Sequence, residues 1–526
     1  MDAMSSDGAE TGGEGSAGGR WLTGGLTIVV VIAAVKLLLH LATNLFGGYG
    51  IFRDELYYLA CSQHLDFGYV DQPPLSIWIL AASRWLFGDS LFALRLLPAV
   101  AGAATVFLTG LMAREMGGRR LAQALAALGS LVSLVFLAMN GFYSMNAFDI
   151  LLWAVAGWLL IRLVADGQPR TWLLLGVVLG LGLLNKVGVL WLGAGLGVGL
   201  VLTPERRFLR TRWPWVAGTI ALGLFLPFVL WNATHGWAHL EFMHNATSGK
   251  YSGLSPLSFI GGQLMQQNPV ALPLWLAGLV FLAFSRAGRR WRLLAWIYAT
   301  AFVILIVNGH SKSEYLSPSY SMLFAAGGVA LERWLGGARR VLGPAYAALL
   351  LSGLALTPIV LPVLPVESYI RYAEALGIRP STAENKELAD LPQFYADMFG
   401  WKEKAEAVAR VFHSLPKAER EKCAVLGDNY GRCGALDFFG RRLGLPPCIS
   451  GHNSYWIWGP RGYDGEVLIV LGGALEDKQE IFESVEAAGE VSCRHCMPYE
   501  NGLKIYVCRK LRITVPDLWA RERHYD

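Results

Sequence analysis

The sequence predicts a polytopic α-helical membrane protein with a C-terminal α+β domain, and three observations carry that prediction. The 526 residues are 54% hydrophobic and only 16% charged, with 19 Trp, a balance unlike that of a soluble chain of this length. Apolar runs of roughly bilayer-spanning length recur through the first two thirds of the chain. From about residue 366 the texture changes to mixed polar, charged and aromatic sequence. The net charge of +5 sits mostly in short Arg clusters between the apolar runs, which fits membrane topology and argues against nucleic-acid binding.

Residues 1–20 are rich in Gly, Ser and acids and lack a tight basic segment or a small-residue cleavage site, so they read as a disordered cytoplasmic tail. The membrane domain is expected over 21–365. Its apolar runs fall at 22–46, 91–113, 121–139, 149–165, 172–184, 187–203, 215–231, 271–284, 293–308, 317–334 and 341–362, about eleven crossings. Every second loop is basic: Arg114, Arg119 and Arg120; Arg162 and Arg170; Arg206, Arg207, Arg210 and Arg212; Arg286, Arg289, Arg290 and Arg292; Arg333, Arg339 and Arg340. The alternate loops hold little beyond Arg53, Arg84, Lys186, Lys250 and Lys312. Lys and Arg collect on the cytoplasmic side, so the N-terminus is expected inside, with the loop 47–90 and the tail after Pro365 outside.

Residues 366–526 read as a soluble α+β domain, with strand-like runs "GEVLIVLGG" (465–473) and "LKIYVCRK" (503–510). Six of the seven cysteines lie here: Cys423, Cys433, Cys448, Cys493, Cys496 and Cys508. An even count outside the cytoplasm favours disulfides or buried thiols, with the pairing open. "CRHC" (493–496) has no second ligand pair at zinc-finger spacing, and Met497 stands where haem attachment needs His.

The loop 47–90 is the richest in candidate chemistry. If "DELYYLACSQ" is a helix, Asp54 shares a face with Tyr57 and Tyr58, while Glu55 points about 100° away. The plain alternative is that both acids stabilise a helix N-terminus. After them, "YVDQPPLSIWILAASRWLFG" (69–88) begins with an extended Pro-Pro turn and continues as a re-entrant or interfacial helix; Asp66 and Asp71 read as surface or turn acids. In "NGFYSMNAFDILLW" (140–153), Asn140, Tyr143, Asn146 and Asp149 recur every three residues, as on one side of a helical turn facing a cavity; helix capping by Asp149 is the alternative. Lys186 separates two short apolar runs, as in a broken helix pair. With His310, Lys312 and Tyr315 of "NGHSKSEYLSPSY" (308–320), it could line an outward cavity that holds an anion; alone, each cation could simply snorkel. There is no Asp-x-Asp, no Walker motif, and no GxGxxG between strand and helix, which disfavours nucleotide-dependent chemistry.

Taken together, "RDELYYLACSQHLDFGYVDQPPL" (53–75), "YSMNAFDILLW", "GLGLLNKVG" (180–188), "HGWAHLEFMHNA" (235–246), "NPVALPLWLAGL" (268–279) and "GHSKSEYLSPSY" (309–320) resemble the GT-C glycosyltransferases of the protein O-mannosyltransferase and aminoarabinose transferase type. The resemblance covers about residues 45–335. "GDNYGRCGALDFFG" (427–440) and "SYWIWGP" (454–460) are similar to the C-terminal domain of uncharacterised bacterial members. It implies a GT-C fold in the bacterial cytoplasmic membrane and a sugar donor on a polyprenyl phosphate, of undecaprenyl or dolichyl type, used on the outer face. By position it implies Asp54 as catalytic base, Glu55 as an acceptor- or site-organising carboxylate and Asp149 as a second site acid. Lys186 and Lys312 match basic positions near the donor phosphate, and Arg53, Tyr57, Tyr58, His310 and Tyr315 complete the expected substrate-binding set. Many relatives have His before Pro-Pro where this chain has Gln72.

The chemistry is consistent with that resemblance. An attacking hydroxyl must lose a proton, which a placed carboxylate accepts for roughly 10²–10⁴-fold in rate. A phosphate leaves as a stable anion, so nearby cations suffice on the leaving side. A single displacement inverts the anomeric centre. No cofactor or metal is assigned; a divalent metal is compatible but not required. The expected partners are the polyprenyl-phosphate sugar, a lipid, glycan or protein acceptor, and membrane lipids. A lipid-linked sugar flippase is the competing reading, although no inverted repeat is visible and the acids sit in outer loops. A binding module on a membrane anchor is a third, for which eleven crossings are more than an anchor needs.

Overall fold

A computed structural model of the chain describes residues 26–250, 253–336, 339–380, 382 and 387–526. The expected 1–20 tail lies outside the described residues. The helices are α1 (Leu26–Phe46), α2 (Arg53–Cys61), α3 (Leu75–Phe87), α4 (Leu91–Glu115), α5 (Arg120–Val132), α6 (Leu134–Met139), α7 (Met145–Asp166), α8 (Pro169–Asn185), α9 (Val189–Leu202), α10 (Trp213–Thr234), α11 (Ala238–Asn245), α12 (Pro256–Gln266), α13 (Leu272–Phe284), α14 (Arg292–Asn308), α15 (Tyr320–Trp334) and α16 (Arg339–Val360). Among the described residues, six helices are long and apolar enough to cross a membrane, and the segments Pro256–Gln266 and Pro269–Phe284 form one further pair bent by 92°. Four shorter apolar helices, α3, α5, α8 and α9, complete the apolar set.

Small residues let these helices approach closely. At the crossing of α13 and α15, a Cβ on Gly327 would lie 1.9 Å from the Leu274 carbonyl oxygen, so only glycine fits. Two sequence expectations are corrected. The run 121–139 is not one helix: Ser133 is extended (φ −61°, ψ 118°), its hydroxyl donates to Gln267 Oε1 at 2.9 Å, and the chain restarts as α6. Asn140, Tyr143, Asn146 and Asp149 do not share one helical turn, because α7 starts only at Met145, capped by the Ser144 hydroxyl. Asn140 and Tyr143 therefore precede the helix and bind the Pro98 and Ser76 carbonyls.

After α16 the chain continues through α17 (Val366–Ala375), α18 (Gln393–Ala396), α19 (Trp401–Ser414), α20 (Lys417–Arg420), β1 (Cys423–Gly427), α21 (Tyr430–Phe439), β2 (Cys448–Ile449), β3 (Val467–Leu471), β4 (Phe482–Glu490) and β5 (Lys504–Leu511). The sheet order is β2-β1-β3-β5-β4. β1 runs parallel to β2 and β3, while β5 is antiparallel to β3 and β4, with Cys423 opposite Val467 and Val467 opposite Arg509. Cys433–Cys448 and Cys493–Cys496 are disulfides; Cys61, Cys423 and Cys508 are free and buried.

This α/β portion does not stand apart from the membrane helices. Leu56 and Leu59 of α2 share one hydrophobic cluster with Val408 of α19, Val425 of β1 and Leu436 of α21. Arg53 fastens the same junction: its amide donates to the Asp397 carbonyl at 3.0 Å, and its guanidinium reaches the Asp397 carboxylate at 3.6 Å and the Tyr499 hydroxyl at 3.3 Å.

Candidate active site

The start of α2 is where the chain separates its two neighbouring carboxylates. Phe52 is extended, and Glu55 reaches back to accept its amide at 2.8 Å, closing the first turn. Helical periodicity then sends Asp54, Tyr57 and Tyr58 to one side, where all three line a cavity of about 730 Å³. Arg53, Lys186, His310, Lys312 and Tyr315 line the same cavity. Residues from three separate segments, α2, the α8–α9 break and the stretch after α14, therefore converge on one space.

Glu55 turns away from that space. It is completely buried, its two oxygens take Arg95 Nε at 2.9 Å and Nη2 at 2.7 Å, and Oε1 also accepts the Tyr143 amide at 2.7 Å. Arg95 is itself 2% exposed and donates to the Gly50 carbonyl. Glu55 thus ties α2, α4 and the start of α7 together through a bidentate pair and two amides, and has no oxygen turned to the cavity.

Asp54 has the opposite setting. Its side chain is 38% exposed, and Oδ1 accepts from Arg53 Nε at 3.3 Å and from the Tyr430 hydroxyl at 3.0 Å. Burial pushes the Tyr57 and Tyr58 hydroxyls well above the usual tyrosine range, so both remain neutral. Tyr58 accepts the Met145 amide at 3.1 Å, which ties α2 to the start of α7.

Lys186 sits at the extended break between α8 and α9 (φ −157°, ψ 128°). Its ammonium donates to Asn146 Oδ1 at 2.7 Å, lies 3.7 Å from Asp149 Oδ2 and rests 4.9 Å from the centre of the Tyr315 ring. Asp149 is buried behind this lysine and does not itself line the cavity. It fixes and partly neutralises Lys186, so the lysine is a held cation.

Sequence reasoning missed several cavity residues. Asp71 is no mere turn acid: its Oδ1 lies 2.9 Å from the Tyr57 hydroxyl, and it lines the cavity. Tyr430, Asn453 and Asp526 reach the cavity from the α/β portion, and Arg379 from the segment after α17. An acid just before Pro-Pro was a usable signal for Asp71; nothing local could reveal Tyr430, 376 residues from Asp54. Gln72, beside Asp71, is fully buried.

His452, His524 and Asp526 bring potential ligand atoms within 4.8 Å of one another. His452 Nδ1, however, accepts the Tyr430 amide at 3.3 Å, which leaves the ring proton on Nε2, where it meets the Asp526 backbone oxygen at 3.0 Å. The nitrogen a metal would take is already a donor, so the cluster is read as hydrogen-bonded.

Apolar helices and the α/β portion together line one acid-and-lysine cavity, an arrangement of the GT-C type. Comparison with known proteins agrees. Residues 71–231 match the dolichyl-phosphate-mannose-protein mannosyltransferase family. The chain is 23% identical over 295 residues to the lipid A galacturonosyltransferase RgtD of Rhizobium johnstonii, covering 55% of this chain and 61% of that one. It is 27% identical over 167 residues to the undecaprenyl phosphate-alpha-4-amino-4-deoxy-L-arabinose arabinosyl transferase of Pseudomonas savastanoi pv. phaseolicola, covering 31% of each. The aligned part thus spans less than two thirds of these relatives. The fold is similar to that of ArnT from Cupriavidus metallidurans, with TM-score 0.60 and 14% identity over 94% of this chain and 98% of that one; ArnT has been solved both in the apo state and bound to undecaprenyl phosphate. The chain shares the GT-C-type fold of ArnT and is a multi-pass membrane protein.

Proposed function

We propose that the chain is an inverting glycosyltransferase that moves a sugar from a polyprenyl phosphate to an acceptor hydroxyl or similar group. The observation that carries this reading is the convergence of an accessible carboxylate, Asp54, with Lys186, His310 and Lys312 on one cavity of about 730 Å³. In this mechanism the acceptor O–H proton passes to Asp54 as the acceptor oxygen bonds to the anomeric carbon. The anomeric C–O bond breaks with its electron pair going to the phosphate. Lys312 and His310, with Lys186 held in place by Asp149 and Asn146, stabilise the charge that develops there. Glu55 serves as the organising carboxylate, by holding α2 to Arg95.

The similarity to an undecaprenyl phosphate-alpha-4-amino-4-deoxy-L-arabinose arabinosyl transferase supports the donor class, and the similarity to a lipid A galacturonosyltransferase supports sugar transfer. We place the cavity on the outer face of the bacterial cytoplasmic membrane, with the N-terminus inside and residues 366–526 in the extracytoplasmic space. Among the described residues no arginine of the basic loops lines the cavity, as that orientation requires. The test presents membranes containing the protein with a panel of polyprenyl-phosphate sugars, wild type against Asp54→Asn. Transfer is expected from wild type and a loss of at least about 100-fold from the variant; unchanged turnover in the variant overturns the base assignment.

A further inference from the structure

We propose that Tyr430, supplied by the α/β portion of the chain, is a positioning residue that decides which oxygen of Asp54 meets the acceptor. The inference rests on the reading of Asp54 as the base. Two donors converge on the same atom: the Tyr430 hydroxyl at 3.0 Å and Arg53 Nε at 3.3 Å both bind Oδ1. Among the described residues no other hydrogen-bond donor reaches Asp54, so Oδ2 is left for the acceptor proton. The terminal torsion of an aspartate is soft, and a partly exposed carboxylate turns readily. Two fixed donors on one oxygen remove that freedom before the substrate arrives, which is the kind of preorganisation that raises turnover.

The hydroxyl is delivered from a rigid place. Tyr430 is the first residue of α21, whose start is capped by Asn429 Oδ1 accepting the Arg432 amide at 2.9 Å. Its ring lies 4.9 Å from that of Tyr57 and 4.7 Å from that of His452, and its amide donates to His452 Nδ1. The Cys433–Cys448 disulfide ties α21 to β2. At the contact with α2, a Cβ on Gly434 would meet the Leu56 backbone at 2.8 Å. The distance between the hydroxyl and Asp54 is therefore set by backbone packing, not by a flexible arm.

The test is a double-mutant cycle of wild type, Tyr430→Phe, Asp54→Asn and the double variant, in proteoliposomes supplied with undecaprenyl-phosphate-linked sugars. Tyr430→Phe keeps the ring and removes one oxygen. Undecaprenyl phosphate binding, measured separately, serves as the check that it folds. The expected result is a fall in kcat of about tenfold, with KM for the donor changed by less than about twofold. In the Asp54→Asn background the same substitution is expected to change the residual rate by less than about twofold. A loss of equal size in both backgrounds, a change confined to KM, an unchanged rate, or a Phe variant that no longer binds undecaprenyl phosphate overturns the positioning role while leaving Asp54 as base. Full turnover by Asp54→Asn, or no transfer by wild type from any donor, overturns the underlying reading instead.

Discussion

Glu55 and Asp54 are adjacent in sequence and opposite in circumstance, and the difference is decided by what each oxygen touches. Glu55 spends both oxygens on Arg95, Phe52 and Tyr143. Replacing Arg95 with Met leaves an uncompensated buried carboxylate, and breaking a pair of this kind costs about 3–5 kcal/mol. The expected outcome is a markedly lower unfolding temperature in detergent for Arg95→Met, partly restored by adding Glu55→Gln. A fully stable but inactive Arg95→Met would instead give Glu55 a chemical task. Periodicity over "DELYYLACSQ" made the divergence of the two acids legible. It could not show that Asp71 pairs with Tyr57, because that contact is made only when the Pro-Pro turn folds back on α2.

At the scale of elements, apolar runs located almost every membrane helix to within a few residues, since burial and bilayer length impose long patterns. The break at Ser133 escaped because a single serine in "LVSLVF" barely interrupts the apolar run, and its hydroxyl is bound by Gln267, 134 residues away. The late start of α7 escaped because a three-residue spacing imitates a helical turn when backbone angles are unknown. The α2–α21 contact makes a direct prediction. Gly434→Val has no room for its side chain against Leu56 and should prise α21 from α2, reducing transfer more than Tyr430→Phe does. An active, stable Gly434→Val would show that the contact is loose.

The helix α11 is docked by His239, whose Nδ1 donates to the Val70 carbonyl at 3.0 Å while Nε2 is buried with no hydrogen-bond partner among the described residues. Burial lowers its pKa to about 4 from the ordinary 6.5. The unfolded chain therefore binds the proton between those values and the folded chain does not, so stability rises with pH across that window. The His239 contribution is fully present above pH 6.5 and lost as pH falls towards 4, to a limit of roughly 3 kcal/mol. His239→Gln should flatten the pH dependence of the unfolding temperature in that interval. An identical pH slope in the variant contradicts this.

For the whole molecule, every strand follows the change of texture near residue 366, although the first, β1, begins only at Cys423; the run 465–473 contains β3 and the run 503–510 overlaps β5. Sequence alone could not reveal that the α/β portion shares a hydrophobic cluster with α2 and contributes Tyr430, Asn453 and Asp526 to the cavity, because those contacts cross hundreds of residues. Removing residues 366–526 should therefore abolish transfer and destabilise the membrane portion, rather than only alter acceptor choice. A truncated chain that keeps normal turnover would contradict the shared core. The central claim, that Asp54 acts as base toward a polyprenyl-phosphate sugar, is tested most directly by single-turnover transfer from undecaprenyl-phosphate-linked sugars in proteoliposomes, comparing wild type with Asp54→Asn at equal donor occupancy. The account predicts an inverted product from wild type and a rate at least about 100-fold lower from the variant. Retained anomeric configuration, a trapped sugar–enzyme adduct or an undiminished rate in Asp54→Asn would contradict it.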